Sequence, residues 1–159
     1  KQIWEFTFIS ELEADDLVST YHGDNTVICS PDKDVLYQNA GIHYNYGKAE
    51  TVVQDTKGAL TFLWKQMLMG DSTDGIQGIP KVGEKTATTW LENLLPNEMP
   101  AFVLNKYIEK FGIHEGMCNF AETFKLVYIL KSEEDVLRET GIELSKLVIN
   151  DIKQSEQLW

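Results

Sequence analysis

Carboxylates recur in three short groups along the first half of the sequence. The groups lie in the stretches EADD, SPDKD and GDSTD, and their candidate catalytic and metal-binding residues are Glu13, Asp15, Asp16, Asp32, Asp34, Asp71 and Asp74. Carboxylates without cysteine or histidine partners select hard cations such as Mg²⁺ or Mn²⁺. Two such ions about 4 Å apart stabilise the attacking and leaving oxygens when a phosphodiester is cleaved. The acids therefore predict a two-metal hydrolytic site, if the chain brings them together.

Each acidic group also has an ordinary structural explanation when it is taken alone. The first is typical of an exposed helix start, where the helix macrodipole favours acids. The second resembles a surface turn, and the third fits ordinary loop chemistry. The groups lie at predicted element boundaries, and the third one precedes a glycine-rich turn. That context favours the functional interpretation.

The glycine-rich turn has the composition of a phosphate-binding segment. In GIPKVGEKTA, Gly83 precedes a strong helix opening, whose free backbone N–H groups attract phosphate. Lys85 could add a charge and Thr86 a hydroxyl. The pattern favours a helix–hairpin–helix that holds the DNA backbone without reading bases, against a plain connection between helices. The predicted DNA-binding residues are Gly78, Ile79, Lys81, Gly83, Lys85 and Thr86.

An α/β layer followed by helices is predicted to position these residues. Ser10 and Glu13 fit a capping box for a helix over about residues 11–22, and TVICS fits a buried strand. Asp32 and Asp34 would project from a loop at the carboxyl end of that strand, where ligands bind in parallel sheets. GIHYNYGK and ETVVQD predict an antiparallel pair of strands. Helices are predicted at about 57–69, 84–95, 101–111, 119–131 and 133–140, and a last strand in KLVIN.

Composition limits the classes of function. The 159 residues, with 43% hydrophobic and 25% charged, fit a globular chain. A net charge of -11 argues against a nucleic-acid partner unless the acids are clustered and neutralised by cations. No segment has the length of a membrane span, and the two cysteines favour a reducing, cytoplasmic location. The histidines and cysteines lack zinc-ligand spacing, and no serine has the setting of a nucleophile.

Three segments give the chain a resemblance to a known family. ELEADDL, VICSPDKDVL and GDSTDGIQGIPKVGEKTA occur in the order and approximate spacing of the 5′-nuclease family, which includes flap endonucleases and phage 5′→3′ exonucleases. The third segment is similar to the family pattern GD-x-x-DN-I-x-G-(I/V)-x-G-(I/V)-G-x-K-(T/R)-A. The resemblance implies a partial PIN-like parallel-sheet core over 1–56 and a helical region with an H3TH DNA-binding motif over 57–159. It also implies a metal-dependent 5′→3′ exonuclease or flap endonuclease of a bacterial or phage-infected cell.

The resemblance also implies roles for single residues. Glu13 and Asp15 match acids of one metal site, and the other five acids match those around the second. The backbone carbonyls of Ile79 and Val82 match a K⁺ site that bridges to a DNA phosphate. The implied partner is DNA with a 5′ end, a flap or a nick, and no membrane is implied.

The chain departs from the family pattern at three points. Gly75 replaces the usual asparagine, and Lys81 replaces a frequent glycine. A positive φ at Lys81 would cost roughly 1 kcal/mol. The family's first strand and helical arch have no counterpart, so we expect a C-terminal part that alone binds metal weakly and cleaves poorly or not at all. The missing N-terminal part is then a candidate partner.

Three other functions remain open at this point. A non-catalytic helix–hairpin–helix module would bind DNA and leave it intact. An acid-rich RNase of the PIN type would lack the hairpin. An acidic interaction domain would show no Mg²⁺-dependent affinity for DNA.

Overall fold

The computed structural model describes Ile9, residues 12–141 and Glu143 of the chain. Residues 27–128 form one compact unit, and the described residues before 27 and after 128 form another. This grouping differs from the division at residue 56, which remains a prediction. The helices are α1 (Ala14–Thr20), α2 (Lys33–Gln38), α3 (Thr56–Met69), α4 (Glu84–Leu91), α5 (Met99–Phe111), α6 (Ile113–Val127) and α7 (Glu133–Thr140). The strands are β1 (Ile28–Cys29), β2 (Gly41–Asn45), β3 (Glu50–Gln54), β4 (Gly70–Asp71) and β5 (Ile76–Gln77).

The first three strands form a small mixed sheet in the order β1-β2-β3. β1 pairs with β2 in parallel, so that Ile28 lies opposite His43. β2 and β3 are antiparallel, with His43 opposite Val52, which confirms the predicted strand pair. Residues at matching positions of paired strands share one face of the sheet. All three of these side chains are buried, so this is the face that packs into the core.

The segment after β1 is a short helix and not the loop predicted from the sequence. Asp32 is the N-cap residue of α2, and Val35 and Leu36 bury one side of the helix. The prediction that Asp32 and Asp34 both project from a loop is therefore wrong, because Asp34 lies in the first turn of α2. A helix of six residues is too short to show a helical period, and PDKD has the composition of a turn.

Helix α3 is the central element of the 27–128 unit. It begins at the N-cap Asp55, whose side chain accepts a hydrogen bond from Gly58 N at 2.6 Å, and it packs against α2, α4, α5 and α6. The Tyr107 hydroxyl of α5 donates to Met67 O at 2.5 Å, which joins α5 to the last turn of α3. The buried core around α3 includes Leu63, Trp64, Met67, Leu68, Ile79, Ala87, Leu91, Met99, Val103, Tyr107 and Val127.

Several predicted helix ends differ from those observed. α4 ends at Leu91 and not at about residue 95. α6 covers Ile113–Val127 and not the predicted 119–131. The capping box is wrong at its second residue, because Glu13 is itself the N-cap of α1 and its side chain makes no capping hydrogen bond. Ser10 and the strand predicted in KLVIN lie outside the described residues. Among the helices that the structure describes, none is long and apolar enough to cross a bilayer.

Candidate active site

Three carboxylates converge within the 27–128 unit. Asp34 lies in the first turn of α2, Asp71 in β4, and Asp74 in the turn between β4 and β5. One oxygen of each side chain lies within 4.8 Å of the other two. Asp71 is buried, Asp34 is half-buried and Asp74 is exposed, so the cluster is open to solvent on one side. The group is an all-oxygen donor set of the kind that suits a hard divalent cation.

Close backbone contact between Gly70 and Gly78 fixes the position of Asp71. A Cβ atom on Gly78 would lie 2.3 Å from the Gly70 nitrogen, and Gly70 itself has a φ of +75°. The Asp71 Oδ1 atom accepts a hydrogen bond from Thr73 N at 2.9 Å, which closes the turn that carries Asp74. The tight β4–β5 hairpin therefore holds two of the three acids on a short, rigid segment.

Asp32 and Asp34, at the start of α2, make different contacts. The Asp32 amide donates to Ser30 Oγ at 3.0 Å, and the Asp34 amide donates to Asp32 Oδ1 at 2.8 Å. Asp32 therefore caps the helix through its side chain. Asp32 is not among the carboxylates that lie within 4.8 Å of one another, whereas Asp34 is.

Lys33 contributes a positive charge to the acid cluster. Its Nζ atom donates to Asp71 Oδ2 at 2.5 Å and lies 3.8 Å from Asp34 Oδ1. The hydrogen bond to Asp71 raises the pKa of Lys33, with burial opposing and the nearby acids adding to the rise. Burial works against the charge on Asp71, but the Lys33 contact and the hydrogen bond from Thr73 outweigh it and lower the pKa of Asp71. Both groups are therefore charged near neutral pH.

Two buried glutamines support the carboxylates from the protein side. The Gln66 Nε2 atom of α3 donates to Asp34 Oδ1 at 2.7 Å and lies 3.4 Å from Asp71 Oδ2. The Gln38 Nε2 atom of α2 donates to Gln66 Oε1 at 2.8 Å and to Val127 O at 2.6 Å. This amide chain connects the end of α6 to the acids and holds Asp34 in place.

Asp34 is the acid whose ionisation is most strongly perturbed. Burial is the largest cause and raises the pKa of Asp34 to about 6, with the Lys33 ammonium opposing the rise. The charges of Asp71 and Asp32 add to the rise, and the Gln66 hydrogen bond opposes it. Carboxylates that must hold a metal often repel one another in its absence, and a nearby dication would favour the charged form of Asp34.

Asp34→Asn is expected to stabilise the protein above pH 6 in the absence of metal. The pKa of Asp34 is about 6 in the folded protein, against an ordinary value of 3.8, so ionisation disfavours the folded state. The free energy of unfolding of the unmodified protein should therefore fall as pH rises from about 4 to about 6, and it should stay lower at higher pH. After allowance for a half-buried group, Asp34→Asn should raise it by about 1–2 kcal/mol at pH 8. Urea unfolding at pH 4 and pH 8 measures this, and equal effects at both pH values would contradict it.

The acids of the first group belong to the other compact unit. Glu13 is the N-cap of α1, and Asp15 and Asp16 lie in its first turn. The Asp16 Oδ1 atom accepts a hydrogen bond from Leu130 N at 2.8 Å. Burial raises the pKa of Asp16; the Leu130 hydrogen bond opposes the rise and the charge of Glu13 adds to it. Asp16 thus joins α1 to the segment that precedes α7.

The predicted DNA-binding turn is anchored in the core by its apolar residues. Ile79 is buried, and its amide donates to Leu68 O at 2.8 Å. The Val82 amide donates to Ile79 O at 3.1 Å, which closes the turn. Lys81 has a φ of +70°, so the strain considered in the sequence analysis is present, at a cost of roughly 1 kcal/mol.

Helix α4 begins directly after this turn. Gly83 is its N-cap residue and has no side chain to cover the first backbone N–H groups. Lys85 is exposed and Thr86 is half-buried in the first turn. Glu84 pairs with Lys65 of α3, which ties the start of α4 to the core. The first turn of α4 is thus fixed in place with polar groups that an anion could contact.

Three contributors to the site were missed by the sequence analysis. They are Lys33, Gln38 and Gln66. Lys33 lies inside the SPDKD stretch, where the acids alone drew the prediction of a metal site. Gln66 is a polar residue among the buried apolar side chains of α3, and that placement was the available signal.

Comparison with known proteins gives one informative match. The chain is 33% identical over 93 residues to a protein named 5′-3′ exonuclease from Buchnera aphidicola subsp. Acyrthosiphon pisum (strain APS). The chain is related to the 5′-nuclease family. The match covers 50% of this chain and 32% of the relative, so the chain spans about a third of the length of that relative. No protein-family model matches the chain, and no solved structure matches it.

Proposed function

We propose that this chain supplies metal-binding and DNA-holding parts of a 5′→3′ DNA exonuclease or flap endonuclease. The observation that carries the proposal is the convergence of Asp34, Asp71 and Asp74 within 4.8 Å of one another. The relationship to a protein named 5′-3′ exonuclease supports the same class of reaction. The reaction is hydrolysis of a DNA phosphodiester.

The three clustered carboxylates would hold a Mg²⁺ or Mn²⁺ ion. Their donor set is all oxygen and open to solvent through Asp74, which leaves room for water or a phosphate oxygen. A bound ion of this kind acts as a Lewis acid on the phosphate. We keep Glu13, Asp15, Asp16 and Asp32 as predicted metal-binding residues on the family resemblance alone.

The protein's own groups would bind and orient the DNA. Gln66 and Lys33 hold Asp34 and Asp71 in place before any substrate arrives. The turn 78–83 and the first turn of α4 offer backbone N–H groups and the exposed Lys81 and Lys85 to DNA phosphates. The other assignments here are Gly78, Ile79, Gly83 and Thr86 for DNA, with a K⁺ ion at the Ile79 and Val82 carbonyls. In this proposal the region is an H3TH motif next to a partial PIN-like core.

We also propose that an N-terminal part of the same protein is a partner of this chain and that the location is cytoplasmic. The proposed DNA substrates have 5′ ends, flaps or nicks. The second candidate function is a non-catalytic DNA-binding module. One observation favours it: the Lys33 ammonium already neutralises Asp71.

A single-turnover experiment separates the two candidates. The 159-residue chain is mixed in excess with a fluorescent 5′-flap DNA, in Mn²⁺ or in EDTA, and both anisotropy and product length are recorded. Binding with slow, Mn²⁺-dependent release of 5′ products is the expected result. DNA binding that Mn²⁺ does not change, with no cleavage, would favour the module. Absence of both binding and cleavage would contradict the two proposals.

A further inference from the structure

The ammonium of Lys33 lies where the acid cluster would receive a cation. Its Nζ atom is 2.5 Å from Asp71 Oδ2 and 3.8 Å from Asp34 Oδ1, and Asp74 belongs to the same cluster of oxygens. Three carboxylates in one place repel one another, and a single ammonium offsets part of that repulsion. The structure thus contains a built-in counterion at the proposed metal site.

A divalent ion and the Lys33 ammonium would compete for the same oxygen. The Asp71 Oδ1 atom already accepts from Thr73 N at 2.9 Å, and its Oδ2 atom accepts from Lys33. Mg²⁺ binds oxygen at about 2.1 Å, so an ion on Oδ2 would share that oxygen with the ammonium. Two positive charges so close repel strongly in a partly buried site.

Lys33 can leave the cluster without any change in the fold. It is the first residue of α2, and 50% of its side chain is exposed to solvent. The main chain of α2 is held independently by the Asp32 cap and by buried Val35 and Leu36. A flexible lysine stem can therefore swing outward while Asp34 and Asp71 keep their positions.

We propose that Lys33 is a displaceable counterion, which neutralises Asp71 until a divalent ion takes its place and then pairs with a phosphate of the DNA. The inference rests on the proposed function, because it assumes that the cluster binds a metal ion. It makes Lys33 a residue with opposite effects on two ligands. Its charge weakens metal binding and strengthens DNA binding once metal is present.

The test compares Mn²⁺ and DNA binding in Lys33→Met, Lys33→Arg and the unmodified chain. By calorimetry, Lys33→Met should bind Mn²⁺ about fivefold more tightly, since it lacks the competing charge. In saturating Mn²⁺, it should bind an oligonucleotide with hydrolysis-resistant linkages about fivefold more weakly. Lys33→Arg keeps the charge and should lie closer to the unmodified chain in both measurements. Lys48→Met is the matched control, since Lys48 is exposed and its ion pair is with Glu50.

The outcomes separate this inference from the proposed function. Mn²⁺ binding that Lys33→Met leaves unchanged or weakens would overturn the displacement, while the metal site would stand. Tighter Mn²⁺ binding without weaker DNA binding would overturn the phosphate role of Lys33. Absence of Mn²⁺ binding in all variants would overturn the proposed function and this inference with it.

Discussion

The double substitution Asp71→Asn and Asp74→Asn is expected to remove divalent-ion binding and cleavage and to preserve the affinity for DNA. It keeps the shapes of two side chains in the cluster but removes two of its three negative charges. Mn²⁺ affinity should fall at least about a hundredfold, and cleavage in single turnover should fall about a thousandfold or more. Calorimetry with Mn²⁺ gives a result even if cleavage by this chain is slow.

A matched control tests whether the effect depends on position or on total charge. Glu50→Gln with Glu92→Gln also removes two negative charges, from residues that are both exposed. This variant should retain Mn²⁺ affinity, and its DNA affinity should change about as much as that of the first pair. Equal loss of Mn²⁺ affinity in both double variants would show that metal binds through general charge, and the proposed site would be rejected.

Gly78→Ala should destabilise the 27–128 unit far more than Gly75→Ala in the turn of the same β4–β5 hairpin. Its new Cβ atom would lie 2.3 Å from the Gly70 nitrogen, 2.3 Å from the Met69 carbonyl carbon and 2.5 Å from Leu68 O. These are main-chain atoms at the end of α3, so no side chain can rotate away. We expect the free energy of unfolding to fall by about 3 kcal/mol or more, as seen for severe overpacking.

Gly75→Ala in the same hairpin provides the comparison for Gly78→Ala. Gly75 has a φ of +72°, but an added Cβ atom would meet no neighbour within 4 Å, so only backbone strain of about 1 kcal/mol is expected. Urea denaturation of both variants measures the difference. A similar loss for the two substitutions would mean that the hairpin shifts easily, and Asp71 would then not be held rigidly.

The sequence predicts part of the acid cluster. Motif order predicts that seven acids act together, and the structure brings three of them, Asp34, Asp71 and Asp74, within 4.8 Å of one another. The antiparallel strands and the long helix before Gly70 are also predictable, since their apolar patterns are strong. α2 was missed because six residues cannot display a helical period.

Contacts between distant segments account for most of what was missed. Lys33 and Asp71 are 38 residues apart, and Gln38 and Val127 are 89 apart. Local patterns carry no information on such pairs, because they depend on how α2, α3 and α6 pack. The division into two compact units also depends on contacts between distant segments. The described residues before 27 and after 128 belong to the same unit, although about a hundred residues separate them in the sequence.

The amide chain from Val127 to the acids has a fixed direction. A main-chain carbonyl can only accept, so the Gln38 atom that faces Val127 O at 2.6 Å must be the NH₂ group. The same NH₂ group faces Gln66, so Gln66 must turn its oxygen to Gln38 and its own NH₂ group to Asp34. The last turn of α6 thereby dictates, through two side chains, that the acids meet a proton donor on their inner side. A rotation of either amide would place two oxygen atoms against each other. The Val127 carbonyl therefore determines that Gln66 presents its NH₂ group to Asp34, although that carbonyl contacts none of the acids.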